Sequence, residues 1–165
     1  MKTFSCLAAL LMAGSASAGL LFTPEGGYTE LPIKPAPPFN PDKTIPLDKR
    51  VGTTLEIGID PTTITSDSDG VVRYVLVARS SSGTTTAMYE GIRCATAEVK
   101  QYARHFTDGG WRPVTDPKWG SLYDGGTARY SLIAAQSGIC QDASAGGTAQ
   151  KIIQNLSSDI LRRVP

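Results

Sequence analysis

The chain has 165 residues, with 16 Lys and Arg against 15 Asp and Glu and a formal charge of +1. Balanced charge supplies no field for gathering phosphates, so nucleic acid is not the expected partner. The length suffices for one domain with its own core.

Residues 1–18 read as a signal peptide. Lys2 is a minimal positive start, Phe4 to Met12 is apolar, and Gly14 to Ala18 are small residues ending in Ala16-Ser17-Ala18, a pattern that suits a signal peptidase. The apolar run falls short of the roughly 20 residues that a spanning helix needs, so no transmembrane anchor is expected. Cleavage would remove Lys2 and Cys6 and leave Cys94 and Cys140 as the cysteine pair of an exported chain, which predicts a disulfide. For a loop of that length the chain-entropy argument credits the bridge with about 4 kcal/mol. Two cysteines and the lone His105 do not make a standard four-ligand zinc site, so neither metal nor cofactor is expected.

Residues 19–50 form a Pro-rich arm. Pro24, Pro32, Pro35, Pro37, Pro38, Pro41 and Pro46 remove backbone donors and fix φ, which predicts an extended segment, partly polyproline II, that is neither helix nor central strand. Two readings compete: a flexible spacer, or a strap lying on the domain through Tyr28, Leu31, Ile33 and Phe39.

Residues 51–165 form a single domain. Thr54 to Asp60 alternates Leu55, Ile57 and Ile59 with Thr54, Glu56 and Gly58, as a strand with one buried face does. Val71 to Arg79 follows the turn Ser66 to Gly70, and Thr84 to Cys94 follows the tight loop Ser80 to Gly83. Glu98 to Phe106 places Tyr102 and Phe106 on one parity and Val99 and Ala103 on the other. It suits strand or helix, and the hairpin-like return Asp108 to Val114 favours strand. The period then changes. Ala128 to Ser137 is a helix candidate stopped at Gly138, and Thr148 caps a longer one with Ala149, Ile152 or Ile153, Leu156, Ile160 and Val164 on one face. Strands first and helices afterwards predict an α+β fold: an antiparallel β-meander of four or five strands with one or two C-terminal helices packed on one face. The Cys94–Cys140 bridge would join the third strand to the helical layer.

Arg73-Tyr74-Val75, Ser82-Gly83 ahead of a strand, the stretch Tyr89-Glu90-Gly91-Ile92-Arg93-Cys94-Ala95-Thr96, Tyr102-Ala103, a Gly before Trp111, then Trp119 and a later cysteine together resemble the cryptic neisserial protein-like family. The similarity runs from about Val72 to Cys140. It implies export to the periplasm and a domain of unknown function, and it carries over no catalytic residue.

Chemistry-bearing groups are sparse. His105 sits beside an Asp-Gly-Gly turn at a spacing that fits no triad or metal dyad, and Asp67-Ser68-Asp69-Gly70 lacks the remaining ligands of a calcium loop and reads as a turn. Glu90, near Arg93 and the bridge, is expected to be a partly buried, ion-paired group. Trp111, Trp119, Tyr123 and Tyr130, with Arg112 and Lys118 nearby, form the densest aromatic stretch, suited to core, protein interface or glycan platform. The expected function is a non-enzymatic periplasmic module of the envelope, either structural or acting through an envelope protein partner. Its candidate contact residues are Glu90, Arg93, Trp111, Arg112, Trp119 and Tyr123. A small-ligand or cell-wall glycan binder is the alternative, and a hydrolase with an unrecognised site ranks third.

Overall fold

The computed structural model describes residues 28–47, 54–107 and 109–163, with side chains to residue 159. The expected signal peptide and the first part of the arm lie outside these residues.

One antiparallel sheet runs in chain order: β1 (Ile45–Pro46), β2 (Glu56–Ser66), β3 (Val71–Arg79), β4 (Thr85–Arg93), β5 (Glu98–Phe106) and β6 (Gly110–Pro113). A two-residue strand, β7 (Gly120–Ser121), pairs with β5 beside β6. The meander is therefore longer than expected, because the end of the arm adds β1 at one edge. Pro46 is tolerated there, where a missing N–H interrupts no inner ladder. Residues 98–106 are a strand, paired on both sides.

The helices come last and cover one face, which makes the fold α+β. The first, α1 (Ala128–Ala134), continues into a single π turn, Ala135–Ile139, in which Gly138 adopts φ 140°. A Cβ at Gly138 would stand 2.6 Å from that of Asn155, so glycine both ends this segment and lets the second helix approach. A short hairpin of β8 (Cys140–Gln141) and β9 (Ser144–Ala145) leads to α2 (Ala149–Arg163). Thr148 caps α2 as expected: its Oγ1 accepts the Lys151 N–H at 3.3 Å. Ile152 and Leu156 are fully buried against the sheet, each worth about 1.5–3 kcal/mol of apolar burial. No helix among the described residues is long and apolar enough to cross a membrane.

The sheet is covered on both faces. Every residue from Val71 to Ala78 is buried, whereas a strand open to water on one side would alternate. Val72, Tyr74, Leu76, Met88 and Ile92 face the helices, together with Ile133, Ile139 and Leu156. Val75, Val77, Ala87, Tyr89, Tyr102 and Ala103 face the other way, and Ala36, Phe39 and Trp111 pack on them. The Pro-rich arm closes this second face, so it is a strap and not a spacer. Of the four side chains expected to hold it, Phe39 packs inward and Tyr28 packs edge-on against Trp119, while Leu31 and Ile33 lie outside the buried core and are exposed.

Candidate functional site

Strand β4 and the turn after it carry the stretch Tyr89 to Cys94, and its alternation distributes two kinds of chemistry to opposite faces. Tyr89, Gly91 and Arg93 face the arm; Glu90 and Ile92 face the helices. Cys94 begins a 3-10 turn and is bonded to Cys140, tying the sheet to the helical layer as expected.

On the helix side Glu90 is fully buried, and its Oε2 accepts hydrogen bonds from Tyr74 Oη at 3.0 Å and Ser131 Oγ at 2.8 Å. Burial pushes the carboxyl up to about 7, although the hydrogen bonds from Ser131 and Tyr74 and the charge of Arg104 act in the opposite direction. The expected pairing with Arg93 does not occur. Three positions along a strand put two side chains on opposite faces, and Arg93 instead pairs with Glu98 and donates from Nε to Thr96 Oγ1 at 2.7 Å.

The arm side is charged and aromatic. Arg73 lies in mid-sheet with its side chain 5% exposed, held by Asp69 at 2.6 Å and Asp67 at 3.0 Å, with Glu30 of the arm at 3.6 Å. Glu30 also accepts hydrogen bonds from Lys100 Nζ at 2.6 Å and Tyr102 Oη at 2.7 Å. Burial alone would raise the Glu30 carboxyl. The bonds from Lys100 and Tyr102, with the charges of Lys100 and Arg73, instead hold it below its ordinary value. The neighbouring Leu31 N–H donates to Asp69 Oδ2 at 3.0 Å, so the Asp67 to Gly70 turn serves both the buried arginine and the arm. A β-bulge in β5 at Tyr102 permits this arrangement. It breaks the expected parity: Val99 packs in the helix-side core, while Tyr102 and Ala103 both face the arm. Gly91 provides the room, since a Cβ there would stand 2.5 Å from Tyr102 Oη.

At the arm's far end Phe39 meets His105 and Trp111 edge-on, with centroids 5.0 and 5.5 Å apart, and Trp111 Nε1 donates to the Pro37 carbonyl at 3.2 Å. Asn40 N–H donates to buried Asp60 Oδ2 at 2.6 Å. At the near end the Arg93 guanidinium lies in the angle between the edge-on rings of Tyr28 and Trp119, 4.1 and 4.9 Å from their centroids.

The residues singled out from the sequence thus fall at several stations. Trp111 and Trp119 both lie beside β5 but about five residue steps apart, roughly 17 Å at strand rise, and contact opposite ends of the arm. Arg112 is exposed, over the Phe106 ring. Tyr123 is 71% exposed, at the rim of a shallow cavity of about 290 Å³ beside the disulfide. Sequence reasoning missed Glu30, Arg73, Lys100 and Tyr102 as a unit. One signal was present: an arginine inside the apolar run Val71 to Ala78 needs buried acidic partners. Among the described residues no group of three His, Cys, Asp or Glu side chains is disposed to hold a metal ion.

An α+β meander closed by helices on one face and by a proline-rich strap on the other defines a small, disulfide-stapled domain with its charged site buried under its own chain. Within that class, the chain belongs to the CNP1-like family, whose model matches residues 24–157 and so takes in the described arm as well as the sheet and helices. No curated protein matches the chain, and no solved structure does.

Proposed function

We propose that the chain is exported, cleaved after Ala18, and works in the periplasm as a non-enzymatic envelope module that binds a protein partner along the outward ridge of its arm. One observation carries the surface. The large apolar side chains exposed among the described residues are Tyr28, Leu31, Ile33 and Tyr123, and three of them fall within six consecutive positions of a rigid, extended segment. Such a ridge offers a preordered surface with little ordering cost to a partner. Export is supported by the Lys2, apolar run and Ala16-Ser17-Ala18 pattern. The glycan alternative has less support, because the rings that would form a platform, Trp111 and Trp119, are turned to the arm.

A photo-crosslinking residue at Ile33, compared with one at the exposed Gln154 of α2, tests the reading in living cells. A discrete adduct from position 33 that disappears with Leu31→Ser is the expected result. Identical, featureless patterns from both positions would overturn it. Mass measurement of the purified mature chain should place its first residue at Gly19.

A further inference from the structure

The sheet face beneath the arm is built as a receptor for two side chains spaced along one extended segment. Lys100 Nζ and Tyr102 Oη converge on the carboxylate of Glu30, in space that Gly91 leaves open. Nine residues later, Phe39 enters the angle between His105 and Trp111. In polyproline geometry these anchors stand about 28 Å apart. Between them, Leu31 to Pro35 are exposed, so the arm docks chiefly at its two ends. Its ladder pairing with the sheet begins only at Ile45.

We propose that this groove also accepts the arm of a second copy, so that one chain docks its arm on another when its own groove is closed to it. The arm's own docking defines what fits: an extended, proline-rich segment carrying a carboxylate and, nine residues on, an aromatic ring. The connection to β1 provides the hinge. A turn at Asn40 to Lys43, closed by a 3.3 Å hydrogen bond from Lys43 N–H to the Asn40 carbonyl, separates the arm from β1. Opening it gives up that bond, the 2.9 Å bond from Asp42 N–H to Asn40 Oδ1 and the contacts of Arg79 with Pro41 and Asp42, whereas every groove contact is made again in the partner copy. Pro32, Pro35, Pro37 and Pro38 keep a released arm extended, so docking in trans orders few new torsions. The tethered arm competes at an effective concentration of millimolar order. Docking in trans therefore dominates when docking in cis is prevented.

Complementation between two full-length variants isolates the trans interaction. Glu30→Gln with Phe39→Ala spoils the arm and leaves the groove; Lys100→Met with Tyr102→Phe spoils the groove and leaves the arm. Native mass spectrometry should find each variant monomeric alone and a 1:1 heterodimer on mixing, at least tenfold more abundant than either homodimer. A mixture that stays monomeric while circular dichroism shows both variants folded would overturn the proposal. If the groove variant does not fold, a fluorescent peptide of residues 28–40 is titrated into the arm-defective chain. Binding that weakens at least tenfold when the peptide's glutamate becomes glutamine supports the groove's selectivity for the arm; no change contradicts it. An unrelated acidic, proline-rich peptide that outcompetes residues 28–40 would assign the groove to a foreign segment and also overturn the proposal.

Discussion

On one face of the sheet the seal is aliphatic and covalent: Ile133, Ile139, Ile152 and Leu156 pack on Val72, Leu76 and Ile92, and the Cys94–Cys140 bridge binds the layers. On the other face an extended segment is held by ion pairs, edge-on rings and single hydrogen bonds to side chains. Apolar burial depends little on salt, whereas a partly exposed ion pair weakens with ionic strength. The two faces should therefore fail under different conditions. The helical layer should set global stability, and the arm should open at lower cost than the sheet and helices unfold.

The largest separation between the faces comes from the disulfide. Replacing Cys94 and Cys140 by serine should cost about 4 kcal/mol in chemical denaturation, while the arm stays as resistant to limited proteolysis as in the parent. Next is Glu90, whose raised pKa fixes the sign of a pH effect. Below the ordinary carboxylate range the group is protonated folded or unfolded. Between that range and about 7 the unfolded chain has released the proton and the folded chain keeps it, so stability falls as pH rises through that window and levels off above it. Glu90→Gln keeps an acceptor for Tyr74 and Ser131 without the charge; it should flatten the slope and exceed the parent at pH 8 by at most about 3 kcal/mol. A parallel pair of stability–pH curves would contradict this.

Glu30 behaves in the opposite sense. Its carboxyl is held low, so its contribution is present at neutral pH and is lost as pH falls through the folded value. Glu30→Gln should destabilise by about 1 kcal/mol or less at neutral pH, discounted for its partial exposure, and should speed cleavage of the arm by protease. Smallest is Ile33→Ser, which should melt within about 0.5 kcal/mol of the parent because the residue is exposed on the arm and outside the buried core, while removing the crosslink expected at the ridge.

Much of this architecture was legible from periodicity. The strands at 71–79 and 98–106, the Gly138 stop and the Thr148 cap follow from local chemistry that tertiary packing did not override. The arm-side site was not legible, because it depends on pairings as distant as Glu30 with Lys100 and on a bulge that reverses the parity of β5 partway along. Glu90 and Arg93 show the same limit at short range: nearness in sequence suggested an ion pair, and strand alternation forbids it. The continuous burial of Val71 to Ala78 was written in the sequence as an apolar run interrupted only by Arg73 and Tyr74. That run was the cue that both faces of the sheet are covered.

Hydrogen exchange across the arm tests the two-faced account most directly. Leu31 and Asn40 donate their backbone N–H groups to Asp69 and Asp60, so both amides should be protected in the mature chain. Glu30→Gln with Phe39→Ala should release them while Ile152, bonded to the Thr148 carbonyl in α2, exchanges as in the parent. Leu31 and Asn40 amides exchanging at the free-peptide rate in the parent chain would contradict a docked arm and leave the second face of the sheet without its cover.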